Sequence, residues 1–159
     1  GNLIPSANTL IAKLSVEAKG TDTNVTFSGT GGATSQLELQ LSASGAAAAD
    51  APWTVKDGNG TTMDSGTVDL SSGAGVILVD QFGAANTSIL EVAPGDTATL
   101  YVYLNTNTAV LTTTGNSVQV WMDDATDTDL TFGIDDTGAY AQADLLWRGD
   151  LYGGSLIKP

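Results

Sequence analysis

The chain has 159 residues, enough for one domain with its own core, and 42% of them are hydrophobic, much of that alanine. Acids outnumber bases 18 to 5, for a net charge of −13 at pH 7, and only 14% of residues are charged, against about a quarter in a typical domain. That balance argues against nucleic acid as a partner, because counterion release needs a basic surface, and against charge-driven docking on anionic lipid. All the acids but Glu17, Glu38 and Glu91 are aspartates, which suit turns rather than helices.

The elements follow a period of two. Leu10–Val16 alternates, with Leu10, Ala12, Leu14 and Val16 predicted to face inward and Lys13, Ser15 and Glu17 outward. Val25 and Phe27 mark a short strand. In Gln36–Ser42, Leu37, Leu39 and Leu41 share one face and Gln36, Glu38, Gln40 and Ser42 the other, the pattern of a half-buried strand. Gly45–Ala51 is alanine-rich and long enough for one helical turn. Trp53–Lys56 runs into Asp57-Gly58-Asn59-Gly60, a hairpin turn whose central positions accept positive φ. Thr61–Met63 returns from it, and Thr67–Leu70 is a separate short strand. The apolar run in Val76–Asp80 predicts a strand buried on both faces. Ser88–Val92 precedes the strongest signal, Pro94–Leu104. There a Pro-Gly-Asp turn leads into eight residues with Ala98, Leu100, Val102 and Leu104 on one face and Thr97, Thr99, Tyr101 and Tyr103 on the other. Ala109–Thr113 and Ser117–Met122 bracket a turn at Thr114-Gly115-Asn116. An acidic loop from Asp123 to Asp129 leads to Leu130–Ile134, Tyr140–Trp147 and Leu156–Lys158.

Short strands at this spacing predict an all-β protein: a single β-sandwich or jelly-roll domain of ten or more strands over residues 1–159, with residues 1–9 as an N-terminal segment available for exchange. No run approaches the ~18 apolar residues of a membrane span. A start at Gly1 rather than Met suggests a mature product from which a signal peptide has been removed.

Histidine and cysteine are absent. Histidine- or cysteine-based zinc sites, Ser-His-Asp triads and Cys-His nucleophiles are therefore excluded, and no phosphate-binding GxxxxGK[ST] motif occurs. Paired carboxylates are the one catalytic option left, and no pair is picked out, so the expectation is a protein that is not an enzyme. Asp123, Asp124, Asp127 and Asp129, with Asp135 and Asp136 after them, are the candidate calcium ligands, set against a solvated acidic loop. Calcium takes six to eight oxygens, and the helical calcium-loop spacing is missing. Calcium is thus the one cofactor left open. Asn24, Asn59 and Asn86 head Asn-X-Ser/Thr sequons. Arg148-Gly149-Asp150 spells an integrin-type tripeptide, and Gly149 reads more simply as a turn. Trp53, Trp121 and Trp147 are either core plugs or a sugar-stacking platform.

The N-terminal stretch carries the sharpest functional reading. A hydrophobic strand at a chain end can add to a neighbour's sheet, backbone hydrogen bonds giving affinity and alternate side chains filling pockets. Leu3, Ile4, Leu10 and Ile11 suit that subunit-interface role, and packing as the first strand of their own domain suits them equally.

The run from Ser6 to Val16, SANTLIAKLSV, and that from Val92 to Val102, VAPGDTATLYV, resemble secreted Thr/Gly-rich β-sandwich domains of prokaryotic surface proteins. Asp144–Asp150, DLLWRGD, is similar to a Trp-Ser-Asp segment near the end of such domains in candidate-phyla bacteria, with Arg148-Gly149 where the serine would stand. The acidity, the lack of cysteine and histidine and the sticky N-terminus resemble donor-strand filament subunits, in the style of TasA-like fibre proteins and archaeal bundling pilins. The resemblance implies an extracellular or cell-surface structural subunit of a pilus-like or biofilm filament. Its partners would be copies of itself in a helical homopolymer joined by β-strand donation. The alternative is a monomeric carbohydrate-binding or adhesin module of a larger cell-surface protein.

Overall fold

The computed structural model describes residues 4–20, 22–28, 35–45, 50–82, 89–107, 113–122, 129–135, 137–141, 151–152 and 156–157. Within them the chain forms thirteen strands: β1 (Thr9–Glu17), β2 (Val25–Ser28), β3 (Gln36–Ser44), β4 (Ala51–Lys56), β5 (Thr62–Val68), β6 (Ala74–Val79), β7 (Ile89–Val92), β8 (Thr97–Leu104), β9 (Ser117–Met122), β10 (Leu130–Ile134), β11 (Thr137–Ala141), β12 (Leu151–Tyr152) and β13 (Leu156–Ile157). All pair antiparallel in two sheets. One has four strands in the order β1-β8-β4-β5. The other has nine, along the path β12-β9-β3-β10-β2-β7, with β11 on β10, β13 on β9 and β6 on β3. The all-β sandwich expected from the alternation is what forms.

Leucine alternation makes β3 the axis of the larger sheet. It pairs with β6 over Leu37–Ser42 along one edge, and with β10 at Gln36–Leu37 and β9 at Gln40–Ser44 along the other. Its inward leucines meet the inward row of β8, Leu100, Val102 and Leu104, in one buried cluster with Val55, Ile77, Val79, Phe82 and Val120. The Pro94-Gly95 turn that launches β8 is closed by Asp96 N–H donating to the Ala93 carbonyl at 2.9 Å, and Gly95 takes φ 85°, a value costly for any residue with a Cβ. The β4–β5 hairpin is held by Asp57, whose Oδ1 accepts from the amides of Asn59 (2.9 Å) and Thr61 (2.8 Å).

Three expectations are corrected. First, a one-residue bulge between Leu10 and Ala12 shifts the β1–β8 register. An inserted residue reverses the side-chain faces on one side of it. Leu10 therefore pairs with Tyr103 on the outer face and is 44% exposed, while Ile11 turns into the core. Second, β6 is buried on one face only. Ile77 and Val79 point into the core, whereas Val76 and Leu78 are 45% and 41% exposed beside Gln40 and Glu38. Third, the segments expected at Thr61–Met63 and Thr67–Leu70 are not separate: one continuous strand, β5, runs from Thr62 to Val68 through Asp64 and Gly66, leaving Thr61, Asp69 and Leu70 outside it. Gly66 lies opposite Trp53 on β4, and a Cβ there would meet Trp53 Cζ2 at 2.8 Å. Gly66→Ala is expected to destabilise the fold by about 1–3 kcal/mol, the usual result of overpacking, measured by urea denaturation.

Candidate functional site

The N-terminal segment reaches β1 through a small polar clamp. Ser6 carbonyl accepts from Thr106 N–H at 2.8 Å, Ser6 N–H donates to Thr106 Oγ1 at 3.4 Å, and the hydroxyls of Thr9 and Thr106 are hydrogen-bonded. Thr106 is fully buried just beyond β8. Residues 6–9 are therefore anchored to their own chain, and β1 pairs with β8 from Thr9 to Glu17. Of the four candidate interface residues, Ile11 is packed at home, Leu10 stands on the outer face, Ile4 is 80% exposed, and Leu3 lies outside the described residues.

Beside β1 the two sheets do not close completely. A cleft of about 210 Å³ opens between them, with Leu14 and Val16 of β1 on one wall and Phe27, Leu37, Met122 and Leu130 on the other. Its walls come from both sheets, and Lys13 and Ser15 stand at its edge. Among the described residues β1 pairs with β8 alone, so β1 is an edge strand over an apolar gap. Such an edge is a template for a further strand.

The outer face of the smaller sheet carries an aromatic and basic cluster. Tyr101 lies directly between Lys13 of β1 and Lys56 of β4 in the cross-strand register. The Lys13 ammonium lies 5.7 Å from the centre of the Tyr101 ring, and that of Lys56 is 5.7 Å from that of Tyr103. At this range the ring quadrupole attracts the cation. The alternation in Pro94–Leu104 put both tyrosines outside; the alignment of Lys56 with them was hidden, because it depends on the β4–β8 register.

The candidate calcium ligands are only partly visible. Asp123, Asp124, Asp127 and Asp136 lie outside the described residues. Asp129 is 1% exposed rather than part of a solvated loop, and its carbonyl accepts from Glu38 N–H at 2.7 Å. Burial, and then the negative charge of Asp129, push the Glu38 carboxyl above its usual range. Asp135 Oδ1 accepts from Asn24 N–H at 2.8 Å. Among the described residues no group of three or more acids stands close enough to hold a metal ion.

Asn24 uses its side-chain amide to donate to Glu91, whereas Asn59 is exposed at the β4–β5 turn and is the better presented sequon. Asn86 lies outside the described residues, as do Trp147 and the tripeptide at 148–150. Trp53 is buried in the core, and Trp121 is half-buried on the outer face of β9. Trp53 is thus a core plug and takes no part in an exposed platform. Among the described residues no helix is long and apolar enough to cross a membrane. Comparison with protein-family models, curated proteins and solved structures finds no match.

Proposed function

We propose that the protein is a structural subunit of an extracellular filament, each copy receiving a strand-like segment of a neighbour along the edge of β1 that pairs with no strand among the described residues. The observation that carries this reading is the apolar cleft beneath that edge. At about 210 Å³ it is larger than the ~150 Å³ apolar cavity that takes up a benzene. An aliphatic side chain entering it would gain burial while its backbone pairs with β1. The donor is the segment before Thr9. Ile4 is exposed there, whereas residues 6–9 hold to Thr106 and fix where the segment leaves its own subunit. The contact is heterologous, edge of one copy to leading segment of the next, and a contact of that kind that does not close builds a fibre. The work of such a subunit is mechanical: rows of backbone hydrogen bonds and buried aliphatic groups resist pulling.

Electron microscopy of the native, unboiled protein at neutral pH is expected to show regular filaments. Ile4→Asp, or removal of residues 1–5, is expected to abolish them while the circular dichroism of the monomer stays unchanged. Filaments that persist in both variants would overturn N-terminal donation. Monodisperse single-subunit particles of the unaltered protein would overturn the filament reading itself and leave the carbohydrate-binding or adhesin module.

A further inference from the structure

We infer that the two outer faces of the sandwich bind each other between copies, the lysine–tyrosine face of the smaller sheet in one copy lying on the apolar–acidic face of the larger sheet in the next. This rests on the self-assembling reading above and names a second contact for it. The first face is centred on β8. Lys13, Tyr101 and Lys56 form a row across three strands, with Tyr103 and exposed Leu10 paired in the next row. The chain has five basic residues in all, and two of them stand in this row. The second face is centred on β3 and β6. Exposed Val76 and Leu78 stand opposite Gln40 and Glu38, and exposed Asp80 follows two residues after Leu78, just past the end of β6. One face offers cations around aromatic rings, the other carboxylates around aliphatic groups. The two lie on opposite sides of the same molecule.

The spacings agree. Lys13 and Lys56 are two strands apart, about 10 Å between backbones at ~4.8 Å per strand. Glu38 is paired with Leu78 on β6, and Asp80 follows Leu78 by two residues, about 7 Å at ~3.4 Å per residue; flexible lysine stems span the difference. A contact over a face about 20 Å across removes roughly 800 Å² in total from water, half the standard interface. The contact is therefore weak alone and gains its effect from repetition along a fibre.

Salt dependence separates this contact from a purely apolar one. Two copies of charge −13 repel each other at low ionic strength. At about 0.15 M the screening length is ~8 Å, so the overall repulsion fades while ion pairs in direct contact persist. Association is expected to peak at intermediate salt and to weaken at both ~0.01 M and ~1 M.

The test is sedimentation equilibrium of the full chain at 0.15 M salt, with Lys13→Glu/Lys56→Glu and Glu38→Lys/Asp80→Lys, each checked for unchanged circular dichroism. Each double reversal is expected to weaken self-association about tenfold or more, as for loss of a close charge pair. An equimolar mixture of the two is expected to restore it, because each then meets its complement. If Glu38→Lys/Asp80→Lys does not fold, Val76→Lys/Asp80→Lys, at two exposed positions, probes the same face. Association unchanged by either reversal, or not restored by mixing, overturns the inference. Running the series on Ile4→Asp keeps the two contacts apart. Salt-sensitive association that survives Ile4→Asp supports the face contact independently of strand donation. Association of Ile4→Asp at high protein concentration that neither reversal weakens overturns the face contact and leaves donation standing.

Discussion

Trp53→Ala is expected to lower the free energy of unfolding by about 3–5 kcal/mol, the range for deleting a large buried aromatic side chain. Trp53 is 7% exposed in β4, between β8 and β5, and its ring lies against the backbone of Gly66 directly across the β4–β5 pair. That neighbour sets the size of the effect. A residue with a side chain could lean into the vacated space; glycine cannot, so the cavity stays open and the loss falls toward the upper end. The same geometry predicts non-additivity. Gly66→Ala alone drives its Cβ to 2.8 Å from Trp53 Cζ2 and 3.0 Å from Cε2. With the ring gone, the added methyl fills empty space, and Gly66→Ala is expected to be neutral or stabilising in the Trp53→Ala background. A double-mutant cycle in urea should give a coupling of about 0.5–3 kcal/mol, the range for residues in contact. Additive effects would mean that the indole does not rest on Gly66.

The Trp53–Gly66 pair also shows where sequence reasoning stops. The leucine alternation of β3 and the two-faced pattern of β8 were legible because a strand buried on one face writes its burial into every second residue. In β5 the alternation is interrupted: Asp64-Ser65-Gly66 separates the two segments expected at Thr61–Met63 and Thr67–Leu70, and the structure runs one strand through it. Gly66 and Asp64 both have non-local reasons, Gly66 the Trp53 ring and Asp64 the amides of residues 80 and 81. In β1 a single bulge exchanged the expected faces of Leu10 and Ile11, and nothing in LIA marks a bulge. In β6 the run VILV carries no alternation, so only its position at an edge, paired with β3 alone among the described residues, reveals that half of it faces outward. The cleft under β1 was not legible at all, because its walls come from β1, β2, β3, β8, β9 and β10. The sequence could mark Ile4 as sticky; a cleft assembled from six strands leaves no local mark in it.

Asp64→Ala is expected to be the most damaging change at a polar position, because this carboxylate joins β5 to the segment leaving β6. Its Oδ1 accepts from Ser65 N–H at 2.7 Å, and its Oδ2 accepts from Asp80 N–H at 3.1 Å and Gln81 N–H at 3.3 Å. Alanine leaves these donors without their acceptor, at about 1–3 kcal/mol for each that water does not reach. Asp64→Asn keeps one acceptor oxygen and is expected to lose less. The pH dependence runs opposite to that of an ordinary salt-bridged carboxylate. Burial raises the Asp64 carboxyl above its usual 3.8, outweighing the three amides that lower it, and the charge of Asp80 adds to the rise. Glu38 is likewise raised above 4.5 by burial and Asp129. A raised folded-state value means that the native state holds its proton more tightly than the unfolded chain. The stability each group contributes is complete below its ordinary value and is lost as pH rises through the folded value. Asp69 works in the other direction: Ser71 hydroxyl and amide hydrogen bonds lower it, so its contribution is present above 3.8 and disappears as pH falls through the lowered value. The melting temperature is therefore expected to rise as pH is lowered from 7 toward the ordinary carboxylate values, and then to fall at stronger acid as Asp69 is protonated. Relief of the net charge of −13 adds to the rise in every variant. Asp64→Asn removes one titrating group and should flatten the rise without abolishing it. Melting curves of the two proteins with the same slope against pH would show that Asp64 is not the group responsible.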